Sequence, residues 1–231
     1  MRLYLVRGDL AFSLLQPIPD AGWQWRGGVP AALPWEAPYL IPLGGEDAEF
    51  IEADCFSLNT GTDGFIVSEF ARAKLDALLS PAGEFLPIRV CGRPYWWFNC
   101  LVAVEALDRD QTEADWGLVE GDWGSFRWIT STRRLAFDPA RLAAVPAMFR
   151  IPEYPQGVLF ATRGLEEAVE QNELTGFRFD LIWSSRDGGV SDPPGVGLGG
   201  MFDEIARDDS ESRRAAARAV LERRGRLDRR S

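Results

Sequence analysis

Histidine does not occur anywhere in the 231 residues. That absence excludes Ser-His-Asp and Cys-His activation of a nucleophile, histidine-ligated metal sites and the usual general base near neutral pH. Lysine is almost as scarce, with Lys74 alone among 25 basic residues and arginine supplying the rest. The three cysteines, Cys55, Cys91 and Cys100, have no C-x-x-C spacing. Neither a disulfide framework nor a zinc site is suggested, and buried free thiols are expected. No stretch approaches about 18 consecutive apolar residues. The opening MRLYLVRGDLAF carries charges where a signal peptide needs an unbroken apolar region. A cytoplasmic protein is therefore expected, with no cofactor and no metal.

What the chain does have is apolar content and negative charge. At 46% hydrophobic it can bury a substantial core. Residues 207–231 hold nine arginines against five acids, a net of +4, which leaves 16 basic and 30 acidic residues, a net of −14, on residues 1–206. The expected organisation is an acidic α+β domain over 1–184, a Gly/Pro-rich linker or loop over 185–200, and an arginine-rich helical tail over 201–231, solvated or docked on a partner. An acidic body repels nucleic acid and speeds encounters with basic proteins. Neither nucleic acid nor membrane is an expected partner, and the oligomeric state stays open.

Periodicity supplies the elements. In GFIVSEFARAKLDALLSPAGEFLPIRV, Phe65–Val67 read as a strand, Ser68 as an N-cap, and Ala71, Leu75, Leu78 and Leu79 as the buried stripe of a helix near 69–79. GVLFATRGLEEAVEQNELTGFRFDLIW repeats this logic 94 residues later: Phe65, Ile66, Ser68, Leu75, Phe85 and Ile88 correspond to Leu159, Phe160, Thr162, Val169, Phe179 and Ile182. A second helix follows near 163–173, with Gly176 where the backbone needs freedom near the helix end. The apolar run from Tyr95 to Val104 suits a strand covered on both faces, and FRWITSTRRLAFD supplies another. The fold class is α+β, a mainly antiparallel or mixed sheet flanked by two principal helices, with a weak strand-helix-strand repeat. Trp23, Trp25 and Trp35, in a turn-rich N-terminal stretch, are expected to anchor that stretch on the core.

Two clusters of acids remain. EDAEFIEAD at 46–54 holds five carboxylates and no base, and EALDRDQTEADWGLVEGD at 105–122 holds seven against Arg109. Each carboxylate alone reads as solvated surface. In the second cluster, which reads as a loop, Trp116 and Trp123 interleave with acids. An aromatic anchor ringed by charge is the usual anatomy of a binding hot spot, although both tryptophans could equally close the core. Asp108, Asp110, Glu113, Asp115, Trp116, Glu120, Asp122 and Trp123 are the candidate partner-binding residues, and no catalytic residue is assigned.

Taken in order, FLPIRVCGRPYWWFNCLVAVEALD, FRWITSTRRLAFD and AMFRIPEYPQGVLFATRGLEEAVEQNELTGFRFDLIW resemble the immunity-protein-eleven family of bacterial polymorphic-toxin systems, formerly a domain of unknown function. The family pattern is a strand ending in Asn, an Asp a few residues on, an FR pair and a terminal Leu-Thr/Lys-Gly-aromatic-x-Phe element. Here these positions are Asn99, Asp108, Phe149, Arg150, Leu174, Gly176 and Phe179, within residues 64–183. The N-terminal turn-rich region and the basic tail have no counterpart in the pattern. The resemblance implies a non-enzymatic inhibitor that binds and neutralises a cognate toxin domain, and a nuclease toxin with a basic substrate site would suit an acidic inhibitor. The alternatives are a carboxylate-dependent hydrolase, the one catalytic apparatus the composition permits, and a nucleic-acid binder using the arginine-rich tail.

Overall fold

The computed structural model describes residues 1–18, 27–58, 64–121, 124–154, 158–191 and 210–228. The architecture is α+β. One sheet has five strands in the order β10-β11-β1-β12-β13, drawn from β1 (Arg2–Gly8), β10 (Met148–Phe149), β11 (Leu159–Thr162), β12 (Phe177–Ser184) and β13 (Gly188–Gly189). The other has six in the order β2-β3-β6-β7-β5-β4, from β2 (Leu15–Pro17), β3 (Tyr39–Pro42), β4 (Cys55–Phe56), β5 (Gly64–Val67), β6 (Gly83–Val90) and β7 (Arg93–Cys100). A separate two-stranded ribbon pairs β8 (Glu113–Gly121) with β9 (Gly124–Arg134). Among the named strands only β3 and β6 pair in parallel.

The repeat read from the sequence has a topological meaning. In the first unit β5 leads into helix α1 (Glu69–Leu79) and then β6, and both strands pair antiparallel with β7, which lies between them. In the second, β11 leads into helix α2 (Arg163–Gln171) and then β12, and both pair antiparallel with β1. Each unit is thus a strand-helix-strand crossover split by a third strand. Matched positions share an environment: Phe65, Leu159, Leu75 and Val169 lie in one core common to both units, while Ile66 and Ile88, and Phe160 and Ile182, face two further cores. Each fully buried side chain of this size contributes roughly 1.5–3 kcal/mol.

Local chemistry sets the helix ends. Ser68 caps α1, its Oγ accepting from Ala71 N at 3.0 Å, with Glu69 in the positively polarised first turn. Thr162 occupies the matching position before α2 but makes no side-chain cap bond. Helix α2 stops at Gln171, slightly before the expected end, and the chain turns through Glu173 at φ +49° and Gly176 at φ +80°. A Cβ on Gly176 would lie 2.3 Å from the Cys55 carbonyl oxygen, so close packing against the other sheet, as well as the turn, requires glycine there.

Three sequence expectations need qualification. The segment 105–122 is not wholly a loop, because 113–121 forms β8. Gly117 and the surrounding acids depress strand propensity, but Gly117 pairs with Trp128, whose indole covers it so closely that a Cβ would lie 2.4 Å from Nε1. Within the expected linker, residues 188–189 form β13 against β12, while 192–200 lie outside the described residues. Finally, the arginine-rich segment forms helix α3 (Ser210–Asp228), which docks on the chain's own body and buries Ala217 in a core with Leu15, Phe56 and Trp97. Trp35 anchors the N-terminal stretch as expected, stacking on Trp97 at 6.1 Å and donating from Nε1 to the Pro87 carbonyl at 2.8 Å. Trp23 and Trp25 lie outside the described residues. Cys55 and Cys100 are buried, Cys91 is half-buried, and no two of the three are joined in a disulfide. Among the described residues no helix is long and apolar enough to cross a membrane.

Candidate functional site

The ribbon pairs with neither sheet as a strand, yet its root is fixed to the body. Ile129 is buried in the core containing Leu3, Phe149 and Trp183, and its amide donates to the Glu153 carbonyl at 2.7 Å. Thr132 Oγ1 and the Tyr154 hydroxyl lie 2.5 Å apart, and burial raises the Tyr154 phenol well above its usual range. Farther out, Leu118 is exposed. Beside the root lies an open groove of about 950 Å³. Its walls carry six carboxylates, Glu105, Asp108, Asp110, Asp138, Glu153 and Asp187, against three guanidinium groups from Arg109, Arg134 and Arg141.

The candidate residues divide between groove and ribbon. Asp108 and Asp110 lie in the loop that lines the groove. Asp108 Oδ1 accepts from the amides of Asp110 and Gln111, both at 3.2 Å, which sets the turn. Glu113 pairs across the ribbon with Arg134 at 2.5 Å, and Asp115 with Arg133 at 3.4 Å. A hydrogen bond from Ser131 and the Arg133 charge hold the Asp115 carboxyl below its ordinary pKa. Both pairs are exposed and worth little to stability. Trp116 packs partly on the core with Ile129 and carries the Arg127 guanidinium over its ring at 5.7 Å. Glu120 sits opposite Ser125 near the ribbon's turn. The Glu120 side chain, and all of Asp122 and Trp123, lie outside the described residues.

Sequence reasoning missed Glu153, which is 3% exposed and lines the groove. Arg109 clasps it, donating from Nε at 2.9 Å and Nη2 at 2.7 Å to Oε1, while Oε2 has no hydrogen-bond partner among the described residues. No spacing rule links Arg109 to Glu153 across 44 positions. Among the described carboxylates of 105–122, Asp108 accepts from backbone amides, Asp115 from Ser131 and Arg133, and Glu113 pairs with Arg134. Among the described residues no group of three His, Cys, Asp or Glu is placed to hold a metal ion.

Asn99 and Arg150 serve as anchors. Asn99 is fully buried; its Oδ1 accepts from Gly28 N at 2.9 Å, and its Nδ2 donates to the Val29 carbonyl at 2.7 Å and to Glu84 Oε1 at 2.9 Å. Arg150 donates to the Gly28 carbonyl at 3.0 Å. Together they hold the turn-rich N-terminal stretch against both sheets. The acidic cluster at 46–54 is not uniformly solvated either, because Asp54 is 2% exposed. Its Oδ2 accepts from Thr175 N at 2.8 Å, Thr175 Oγ1 at 2.9 Å and Arg224 Nη1 at 2.8 Å, and its Oδ1 accepts from Ser68 Oγ at 2.8 Å.

In comparisons with known proteins, no family model matches the chain and no curated protein is significantly similar to it.

Proposed function

We propose that the chain is an immunity protein that binds a cognate toxin domain and neutralises it through the acidic groove and ribbon, without chemistry of its own. The observation that carries this reading is the groove's composition: six carboxylates against three guanidinium groups, in an open concavity at the root of the ribbon. A site of this kind suits a basic protein surface, because charge complementarity steers the encounter. The order of the motifs from Asn99 to Phe179, with their resemblance to the immunity-protein-eleven family, supports the same reading. A nuclease toxin, whose substrate site is basic, fits the chemistry well, since carboxylates could occupy the places of phosphates.

The test is functional. Expression of the product of the reading frame immediately upstream should arrest growth of a host cell, and co-expression of this chain should restore it. A chain carrying Asp108→Asn and Asp110→Asn should restore growth poorly while remaining folded, since both side chains lie on the groove's rim. Full protection by that variant would remove the groove from the account.

A further inference from the structure

Glu153, in the wall of the groove beside the ribbon, is a buried carboxylate with only one of its oxygens served. Its backbone is fixed, because its carbonyl accepts from Ile129 N at 2.7 Å and the next residue closes a turn, Tyr154 N donating to the Ile151 carbonyl at 3.1 Å. Arg109 donates to Oε1 from both Nε and Nη2. Oε2 is cut off from solvent and has no hydrogen-bond partner among the described residues. A charged oxygen buried in that state is destabilising until a donor reaches it. Glu153 and the Arg109 that meets its carboxylate both line the groove, so the groove is the side from which a donor can come.

The groove has negative charge in excess of what its own arginines answer. Arg109 pairs with Glu153, Arg141 with Asp138 at 3.4 Å, and Arg134 with Glu113, which lies outside the lining. Glu105, Asp108, Asp110 and Asp187 make no ion pair among the described residues, and together they offset the like charge that Arg109 presents to an incoming cation. The lining also includes Leu107, Phe137 and Trp183, each less than a tenth exposed. Apolar side chains beside carboxylates suit a cation carried on a methylene stem, since the stem packs while the head is paired. A metal ion would need several converging oxygen ligands, and among the described residues no three acids are so placed. Of the two cationic heads that proteins carry, guanidinium is the more weakly hydrated, so it loses less on reaching an oxygen that solvent does not touch.

We infer that the groove is a guanidinium site, in which an arginine side chain of the partner protein donates to Glu153 Oε2 and lays its stem along Leu107, Phe137 and Trp183. Glu105, Asp108, Asp110 and Asp187 balance the added charge. Glu153 is then the residue that tells arginine from lysine, whereas the rim acids attract any cation. That the arginine comes from a protein rests on the immunity reading proposed above; the site itself does not, and its test contains no toxin.

The probe is arginine capped at both ends, Nα-acetyl-L-arginine methylamide, titrated at low salt into the full-length protein while backbone amide shifts are followed by NMR. The expected result is saturable shifts at Arg109, Phe137, Glu153 and Trp183, with an affinity about threefold or more above that of lysine capped in the same way. Capped citrulline, which keeps the shape and loses the charge, should give no saturable shift. Glu153→Gln should weaken arginine binding about tenfold or more, with amide shifts away from the groove reporting that the variant is folded. Glu105→Gln with Asp110→Asn changes only exposed side chains and should weaken capped arginine and capped lysine by similar factors. Lysine bound as tightly as arginine, saturable binding of citrulline, or a folded Glu153→Gln variant that binds arginine unchanged would overturn the inference. Free arginine, whose α-carboxylate the acidic groove repels, should bind more weakly than the capped form; tighter binding of the free amino acid would overturn the partner side chain as the source. Growth protection and probe binding are separate readouts, so either can fail without the other.

Discussion

Replacing Gly176 by alanine separates two costs that are usually confounded. The residue sits at φ +80° in the turn between α2 and β12, where an L-residue pays about 1–2 kcal/mol for left-handed backbone. A Cβ there would also meet the Cys55 carbonyl oxygen at 2.3 Å and the Ala53 Cβ at 2.8 Å. Both obstacles belong to the neighbouring segment, and no rotamer change relieves them. Forcing that segment away adds about 1–3 kcal/mol, and it strains two bonds that tie the region together: Asp9 N to the Gly176 carbonyl at 2.7 Å and Asp54 N to the Thr175 carbonyl at 3.1 Å. The expected total is about 2–5 kcal/mol. Gly188 is the control, because its φ is +76° but a Cβ would meet nothing within 4 Å, so Gly188→Ala should lose only the backbone cost of about 1–2 kcal/mol. Urea unfolding followed by tryptophan fluorescence measures both. Equal losses for the two variants would refute the close-approach argument and leave only backbone conformation.

Other outcomes follow from the same geometry. Gly164→Ala, in the first turn of α2 with no atom nearer than 3.7 Å to the new Cβ, should stabilise the protein by about 0.5–1 kcal/mol in the same assay. Ser68→Ala removes both the α1 cap and the Oγ donor to Asp54, and should cost about 1–2 kcal/mol. The Asp115 carboxyl should titrate below an ordinary aspartate when followed by NMR, and Ser131→Ala should move its midpoint upward. Because its folded pKa is the lower one, any stability it contributes is present above the unfolded midpoint and fades as pH falls through the folded one. In the native protein at mildly alkaline pH an alkylating reagent should label half-buried Cys91 before Cys55, whose thiol burial pushes up.

The parts of the fold that were legible in the sequence are those set by local rules. Ser68 and the Ala71–Leu75–Leu79 stripe specify α1 within a dozen residues, and the 94-residue recurrence located two crossover units because each is a local strand-helix-strand pattern. The position of the middle strand between the two arms of each unit was not legible, even though the apolar run from Tyr95 marks β7 as a strand, since β1 and β7 join their partners through long-range pairing that no window contains. The ribbon was half-read: β9 showed alternation, but β8 was masked by Gly117, whose missing side chain makes sense only opposite Trp128. For the site, Asp108 and Asp110 were found by composition, whereas Glu153 and Asp54 look like any other acids until Arg109 and Arg224 arrive from distant parts of the chain. The arginine-rich segment misled for the same reason, because a helix that docks by charge carries no apolar stripe to announce its burial.

The central claim is that the acidic surface is there to be occupied by another protein. It is tested most directly by calorimetric titration of the purified chain with the purified product of the adjacent upstream reading frame at two salt concentrations. A stoichiometric complex is expected, with an affinity that falls about tenfold or more from about 0.05 M to about 0.5 M salt. Absence of any complex at either concentration would contradict it, as would an affinity that salt leaves unchanged.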